Sequence, residues 1–369
     1  MHLLQLNLQN FKNYREQSVR FAGKVTTFVG HNGAGKTNLL DAIHYLSFCK
    51  SYFNTVESYS ILHGSEHFSV TGKFRYDGER SDDTVHCHVR KGRRKVFKVN
   101  GKELDRLADH IGNIPAVMLS PYDSSLIDSG SEERRRYLDM IISQFDRAYL
   151  DGLITYNRAL VQRNALLKRM DREIRFDPSL LALYDEQLAQ FGSSLFAKRE
   201  AFVEQFTPLF EGVYQHLAGA REKAGVDYCS QMQECPDAKE LLVSALDKDR
   251  QVRYTTAGVH KDDLRFTLEG VPVKRFGSQG QQKSFIIALK LAQFAFLKNK
   301  LNIHPLLLLD DIFDKLDRDR VERLMELVGG DGYGQIFITD TNAQRIETIF
   351  SSLSVTTDVF EVHDGIVNQ

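Results

Sequence analysis

The sequence predicts an α/β fold with three parts: a head domain built from both ends of the chain, a β-rich side lobe and an inserted antiparallel helical arm. Three observations predict it. Near the N-terminus, an apolar strand at residues 25–29 runs into a glycine-rich turn and an apolar helix. Near the C-terminus, an apolar strand at 306–309 ends in two aspartates. Between them, residues 132–217 show long helical periodicity with few glycines.

The side lobe is predicted from residues 67–102, which have the pattern of a β-meander. Short β-rich runs alternate there with turn pairs such as Asn100 with Gly101. In the arm, Asp177 and Pro178 separate two long helical stretches, because proline suits the first turn of a new helix. We therefore expect an N-terminal head part with the lobe (1–125), a helical arm (126–250) and a C-terminal head part (251–369).

Composition restricts the possible classes of protein. The 369 residues carry a net charge of −1 and 42% hydrophobic residues, which is typical of a globular protein with more than one domain. The sequence predicts no signal peptide and no membrane span. The four cysteines form no CxxC pair, so neither a zinc site nor a disulfide framework is predicted, and we expect a cytoplasmic protein. The net charge of −1 gives no support to nucleic-acid binding, which would depend on local clusters of basic residues.

A phosphate-binding loop follows the first apolar strand and matches the pattern G-x-x-x-x-G-K-[ST] at every fixed position. Its glycines let backbone N–H groups turn toward phosphates, and the next helix points its positive end at the same anion. Lys36 is expected to reach the β- and γ-phosphates of ATP, and Thr37 to ligate Mg²⁺. The predicted nucleotide-binding residues are Gly30, His31, Asn32, Gly33, Ala34, Gly35, Lys36 and Thr37.

Two carboxylates at the exit of the strand 306–309 match the Walker B arrangement. Asp310 would hold Mg²⁺, and Asp311 would orient or deprotonate the attacking water, with Lys36 as the second catalytic residue. The alternative is a pair of N-capping aspartates after a core strand, which by itself explains the pair equally well. The phosphate-binding loop upstream favours the Walker B interpretation.

Two further segments resemble the ABC ATPase class, in the chain order of that class. Ser278, Gly280 and Gln281 resemble the signature motif, which in ABC ATPases contacts the nucleotide of the opposite subunit. Asp317 resembles the acid of the D-loop, which lines the dimer interface. Ser-x-Gly is also a common helix N-cap, and the region of Asp317 also has the pattern of an acidic helix start. Together the motifs predict an ABC-type ATPase head.

Two elements of that class are not found in the sequence. The expected switch histidine is replaced by Thr339 and Asp340, either of which would be placed to contact the γ-phosphate. The segment 118–123, where a Q-loop glutamine is expected, contains none. Asp311 itself stands where ABC ATPases usually carry glutamate, and the shorter side chain predicts slow hydrolysis.

Over nearly its whole length the chain resembles the RecF family of bacterial DNA-repair ATPases. The resemblance lies in residues 10–14, 35–43, 120–121, 133–139 and 258–264. It implies binding of ATP and of single-stranded, gapped or junction DNA, an ATP-dependent homodimer and weak, DNA-dependent ATP hydrolysis. It also implies action with RecR and RecO to help load RecA at gapped DNA, and support of the SOS response.

A basic stripe on the predicted arm helix 153–175 is the first candidate for contact with DNA. Its members are Arg158, Lys168, Arg169, Arg172 and Arg175. The opposite face carries Leu153, Tyr156, Leu160, Leu167, Met170 and Ile174, which should pack against the second arm helix. A solvated helix face is the usual meaning of such a stripe. A second basic stretch, residues 90–102, is the other candidate.

Two functions of other classes compete with a DNA-dependent ATPase. One is the nucleotide-binding subunit of an ABC transporter, which the long arm and the absence of a switch histidine oppose. The other is a structural ATP-bound DNA clamp without turnover, which the Asp310 and Asp311 pair opposes.

Overall fold

The computed structural model describes residues 1–78, 81–169, 178–219, 222–313, 318–330, 332–342 and 357–368. These residues form α/β structure with three sheets, and they divide into two units. The first unit comprises Met1–Asp123, His216–Gly219 and Lys283–Gln369, so it is built from both ends of the chain as predicted. The second comprises Ser124–Gln215 and Ala220–Gln282.

The strands follow the apolar and alternating runs of the sequence. They are β1 (His2–Phe11), β2 (Tyr14–Arg20), β3 (Val25–Val29), β4 (His67–Arg75), β5 (Asp83–Arg90), β6 (Val96–Val99), β7 (Lys102–Glu103), β8 (Ala116–Leu119), β9 (Ala224–Cys229), β10 (Asp263–Leu268), β11 (Val271–Pro272), β12 (Leu306–Asp310), β13 (Ile336–Asp340), β14 (Thr357–His363) and β15 (Ile366–Asn368).

The α-helices differ widely in length, and the 41-residue α5 of the arm exceeds the others. They are α1 (Lys36–Phe48), α2 (Ser125–Asp128), α3 (Ser131–Ser143), α4 (Arg147–Arg169), α5 (Pro178–Ala218), α6 (Ala238–Ser244), α7 (Leu246–Val252), α8 (Val273–Phe276), α9 (Gln279–Leu301) and α10 (Arg318–Gly329).

The central sheet of the first unit has the order β15-β14-β3-β13-β12-β8. Its strands are parallel except for β15, and β3, β8, β12 and β13 are buried along their whole length. Parallel strands covered on both faces need continuous apolar runs, which explains why these segments do not alternate. Because the carboxyl ends of parallel strands meet at one edge, the loops after β3, β13, β12 and β8 are neighbours.

The second sheet of this unit is the side lobe, an antiparallel sheet in the order β2-β1-β4-β5-β6-β7. The predicted meander at 67–102 is present, and the first twenty residues add two strands to it. Asn100 and Gly101 both have positive φ angles, 51° and 80°, between β6 and β7. That is the backbone of a type I′ hairpin turn, for which Asn-Gly is the preferred pair.

In the second unit, α4 and α5 pack antiparallel, as predicted. The Tyr156 ring packs closely against Gly192, and Arg163 pairs with Asp185. Residue numbers therefore decrease along α5 as they increase along α4, which is the order expected of antiparallel helices. The buried face of α4 confirms part of the predicted apolar side. Tyr156 and Leu167 are buried, whereas the predicted members 153 and 160 are half-buried. The members at 170 and 174 lie outside the described residues.

The predicted start of this helix, residue 153, is wrong by six residues, because α4 already begins at Arg147. Tyr149 and Gly152, before the predicted start, belong to the buried face of α4. They continue the same stripe N-terminally, and Arg199 of α5 donates a hydrogen bond to the Tyr149 hydroxyl. Helix α4 therefore begins earlier than predicted, because the residues before 153 also pack against α5.

The domain boundaries predicted from the sequence, 125/126 and 250/251, differ from the division of the two units. That division falls between Asp123 and Ser124 and, within α9, between Gln282 and Lys283. Residues 251–282 lie in the second unit because β10 pairs along its length with β9, in a small sheet of order β11-β10-β9. Among the described helices, none has an apolar stretch long enough to cross a bilayer.

Candidate nucleotide-binding site

The phosphate-binding loop connects β3 to α1 and depends on two glycines. Gly30 follows β3, and a Cβ atom there would lie 2.2 Å from the Val362 carbonyl oxygen. Gly35 precedes α1 with a φ of 116°, which disfavours any L side chain, and a Cβ there would meet the Asn13 amide at 2.4 Å. The loop therefore lies close to neighbouring chain on both sides.

Lys36 points back into this loop. Its ammonium donates hydrogen bonds to the carbonyl oxygens of Gly30 (2.7 Å) and His31 (2.9 Å). Burial lowers the pKa of Lys36, and three neighbouring carboxylates, that of Asp311 foremost, oppose the shift. These carboxylates thus lie close enough to the ammonium to stabilise its charge.

Asn13 and Tyr14 brace the loop from the turn between β1 and β2. The Asn13 amide donates to the Ala34 carbonyl (2.9 Å) and accepts from Asn38 (2.7 Å), while the Tyr14 hydroxyl donates to the Gly35 carbonyl (3.0 Å). In the sequence, these two residues contributed only to a family resemblance and had no predicted role. Their positions next to the loop depend on the lobe, which local motifs do not show.

The predicted Walker B carboxylate, Asp310, meets the predicted Mg²⁺ ligand Thr37. The Thr37 hydroxyl donates to Asp310 Oδ1 at 2.8 Å, and the Thr339 hydroxyl donates to the same oxygen at 2.8 Å. Asp310 is buried, and burial raises its pKa, against the effect of these two hydrogen bonds. A hydroxyl and a carboxylate in contact are hard oxygen donors of the kind that Mg²⁺ prefers.

Thr339 also fixes the residue expected to act on water. Its hydroxyl oxygen accepts the backbone N–H of Asp311 at 2.9 Å, and it is fully buried. Asp311 itself is half-buried and has a left-handed φ of 47°, a conformation that aspartate tolerates better than most residues. The adjacent Asp340 is fully buried and accepts the N–H of Asn342 at 2.7 Å. Of the two residues left open at the switch position, Thr339 therefore contacts both Walker B aspartates.

The segment after β8, where a Q-loop glutamine was sought, ends in a buried carboxylate. Asp123 accepts the N–H of Ser120 at 2.8 Å and pairs at 2.7 Å with Lys290 of α9. The Tyr52 hydroxyl also donates to Asp123. This arrangement ties the segment after β8 to the middle of α9.

The signature-like motif forms the N-terminus of α9 in the second unit. The Gln281 N–H donates to Ser278 Oγ at 3.2 Å, and the Ser278 N–H donates to Gln281 Oε1 at 2.7 Å. This reciprocal pair is a capping box, so the N-cap interpretation is correct for Ser278. Ser278 and Gln279 are exposed, which leaves the positive end of a 23-residue helix accessible. A capping role is compatible with contact to an anion from outside the chain.

The predicted basic stripe is present on α4 as far as the structure describes it. Arg158, Lys168 and Arg169 are exposed there. Arg172, Arg175 and the D-loop residue 317 lie outside the described residues.

The alternative basic stretch, residues 90–102, is less uniform than its sequence suggests. The Lys95 side chain is largely covered and points inward, where it is bonded to Glu57 and to the Cys49 carbonyl oxygen. The charge of Lys95 is therefore paired inside the protein and is not available to an external ligand.

The phosphate-binding loop, the paired aspartates and the capped helix define an ATPase head of the class shared by ABC ATPases and SMC proteins. A family model described as "RecF/RecN/SMC N terminal domain" matches residues 2–368. A protein of Flavobacterium johnsoniae named "DNA replication and repair protein RecF" is 47% identical over 362 residues, covering 98% of this chain and 100% of that protein. A protein of the same name from Parabacteroides distasonis is 48% identical, covering 100% and 99%. This chain belongs to the RecF family.

Solved structures agree with this assignment. The structure described as "recombination mediator protein RecF-ATP in RecFOR pathway" superposes with a TM-score of 0.88 at 29% identity, covering 99% of this chain and 96% of that one. An Smc head domain from Pyrococcus furiosus superposes with a TM-score of 0.58 at 18% identity, covering 100% and 95%. The second likeness concerns the fold alone, and it confirms the predicted head architecture.

Proposed function

We propose that this protein is an ATP-dependent DNA-binding factor of repair and recombination that dimerises on DNA and hydrolyses ATP slowly. The observation that carries the proposal is the cluster of Thr37, Asp310 and Thr339 beside the phosphate-binding loop. Relatives at 47–48% identity that are named for DNA replication and repair support the same conclusion. As in the family, the protein would be cytoplasmic, act with RecR and RecO, help load RecA at gapped DNA and support the SOS response.

Nucleotide chemistry in this proposal is divided among few residues. Backbone N–H groups of the loop and Lys36 bind the phosphates, and Thr37 and Asp310 are the residues that would hold Mg²⁺. When bound, Mg²⁺ would supply positive charge that offsets the negative charge of the phosphates. Asp311 orients the attacking water and accepts its proton. Thr339 holds both aspartates in position, as its two hydrogen bonds indicate.

Dimerisation is inferred from the exposed end of α9. Ser278 is exposed at a helix N-terminus, which suits a phosphate presented by another molecule. With Gly280 and Gln281 it would complete the nucleotide site of a second copy, and Asp317 would line the interface.

DNA would contact the exposed basic stripe of α4. The described members of the stripe are Arg158, Lys168 and Arg169, and the sequence continues it with Arg172 and Arg175. Basic side chains on one helix face would hold phosphates and would not read bases, so we expect binding with little sequence preference.

Phosphate release from ATP, measured with and without DNA, tests the proposal. We expect slow release that DNA accelerates, and we expect Asp311→Asn to retain ATP binding but lose release, because the amide cannot accept a proton. Asp227→Asn, at an exposed aspartate of β9 in the second unit, is the matched control and should behave as wild type. A protein that binds ATP and DNA but releases no phosphate would be the clamp without turnover. The transporter-subunit alternative finds no support in the relatives described above.

A further inference from the structure

A second positively charged surface lies in the second unit, apart from the α4 stripe. We call it the α3–α7 basic cluster and define it as Arg135 of α3, Lys248 of α7, Tyr254 and Lys261. Tyr254 follows Arg253, the C-cap residue of α7, which has a left-handed φ of 62°. Lys261 ends a short 3₁₀ helix, Val259–Lys261. Lys248, Tyr254 and Lys261 are exposed, and Arg135 is half-buried.

The buried or half-buried acidic residues nearest to this cluster are already paired with other arginines. The pairs are Asp249 with Arg163 (2.6 Å), Asp262 with Arg199 (2.7 Å) and Asp263 with Arg134 (2.6 Å). Their negative charge is therefore balanced inside the unit, by arginines that do not belong to the cluster. Asp247 is the exposed acid on α7.

The basic members of the cluster, in contrast, form no ion pair with any residue that the structure describes. Arg135 donates to a neutral acceptor, the carbonyl oxygen of Asp262, at 2.6 Å. Burial lowers the pKa of Lys261, and the nearby charges of Arg135 and Lys248 lower it further, against Asp249. Like charges close enough to disfavour one another's protonation give a local positive potential.

Tyr254 adds an aromatic surface to these charges. Its side chain is 47% exposed, and the Lys261 ammonium lies 5.1 Å from the ring centroid. An exposed ring offers a π-face on which an unstacked nucleobase can lie, whatever its identity. Basic residues next to such a ring are the combination that recognises a nucleic-acid backbone together with its bases.

We propose that the α3–α7 basic cluster binds the phosphodiester backbone of DNA, as a contact additional to the α4 stripe. The charges come from three separate segments on an exposed surface, which suits a linear polyanion better than a small anion held in a pocket. The proposal rests on the proposed function, since it assumes that the full chain binds DNA. Single-stranded and duplex DNA share this backbone, and Tyr254 would distinguish them by stacking on an unpaired base.

The salt dependence of DNA binding tests whether the lysines of the cluster contact phosphates. Fluorescence anisotropy measures the affinity of the ATP-bound full chain for DNA at several salt concentrations. The two substrates are a labelled single strand and a labelled duplex. Lys248→Gln combined with Lys261→Gln should make the slope of log affinity against log salt shallower by about 1.4 on the single strand and about 1.8 on the duplex, because two phosphate contacts are lost. Arg250→Gln is the matched control, because it is an exposed basic residue on the same helix, about 200° around it from Lys248.

Tyr254→Leu tests whether the exposed tyrosine ring stacks on an unpaired base. Loss of one stacked base should weaken binding of the single strand by about 5- to 150-fold and leave duplex binding unchanged. An equal loss of affinity for both substrates, or no loss for either, would show that Tyr254 does not stack on a base.

DNA binding by the wild-type chain and by a variant of the α4 stripe is measured alongside the double variant. If the wild-type chain binds no DNA, the proposed function is wrong. If Lys168→Glu with Arg169→Glu weakens binding while the Lys248 and Lys261 double variant keeps the wild-type affinity and slope, the α4 stripe binds DNA and this cluster does not. A slope change equal to that of Arg250→Gln would likewise overturn the inference, because it would reflect net charge alone.

Discussion

At the residue scale, the nucleotide site is organised around one carboxylate oxygen. Asp310 Oδ1 accepts hydrogen bonds from the hydroxyls of Thr37 and Thr339, and Thr339 in turn accepts the N–H of Asp311. These contacts join the start of α1 to the ends of β12 and β13. The position of the two Walker B aspartates therefore depends on a threonine that belongs neither to the phosphate-binding loop nor to the Walker B motif.

Thr339→Val tests this role. Valine keeps the shape of threonine but removes both hydrogen bonds, so we expect ATP hydrolysis to slow about tenfold, the equivalent of about 1.4 kcal/mol. ATP affinity should change little, because Lys36 and the loop are intact. Thr339→Ser, which restores the hydroxyl, should recover most of the rate. Unchanged turnover in Thr339→Val would show that the hydroxyl does not position Asp311.

Residues whose role follows from their immediate neighbours could be predicted from the sequence. Lys36, Thr37 and the two Walker B aspartates lie in short motifs next to apolar strands, and the structure brings Thr37 into contact with Asp310. The sequence could not show that Thr339 contacts both Walker B aspartates, because this depends on how β13 aligns with β12, which is a property of the sheet.

At the element scale, the N-terminus of α9 has one observed role, helix capping, and one proposed role, contact with the nucleotide of a second copy. Ser278 caps the helix, so a substitution that removes the cap would also weaken the helix. Ser278→Asp keeps a capping oxygen but places a negative charge where the γ-phosphate of a second copy is proposed to bind. We expect this variant to bind ATP as a monomer and to fail to dimerise in sedimentation experiments with ATP and Mg²⁺.

Ser278→Thr is the control for this experiment, because it keeps both the cap and the neutral hydroxyl. It should dimerise as wild type does. A normal dimer in Ser278→Asp would exclude the proposed contact between the signature-like motif and the partner's nucleotide.

The arm depends on buried arginines as well as on apolar packing. Arg163 is fully buried and pairs with Asp185 and Asp249, which are distant from it in sequence. Arg163→Met would leave the buried carboxylate of Asp249 and the half-buried one of Asp185 without their partner, and we expect it to lower the free energy of unfolding by about 3–5 kcal/mol. Arg158→Met, on the exposed face of the same helix, should change it by less than about 0.5 kcal/mol. Urea denaturation measures both, and equal stability of the two variants would contradict the structural role of Arg163.

Helical periodicity alone could not have predicted this pairing. It places Arg163 near the apolar side of α4 but does not show that Asp249 lies opposite, 86 positions further along the chain. The same limit applies to residues 251–282, whose place in the second unit follows from the pairing of β10 with β9.

At the scale of the whole molecule, the family and the order of motifs were predictable because they are properties of the linear sequence. The division into two units was not, because it depends on long-range pairing. We propose that ATP, bound at the loop of Lys36, controls the affinity of the protein for DNA.

The most direct test is the affinity of the full chain for DNA with ATP, with ADP and without nucleotide, all in the presence of Mg²⁺ and at one salt concentration. We expect binding to be about 5- to 150-fold tighter with ATP, the usual range for coupling between two binding sites. Lys36→Ala should abolish the difference, because the variant loses the charge that faces the phosphates. Equal affinity of the wild-type chain under all three conditions would contradict the account.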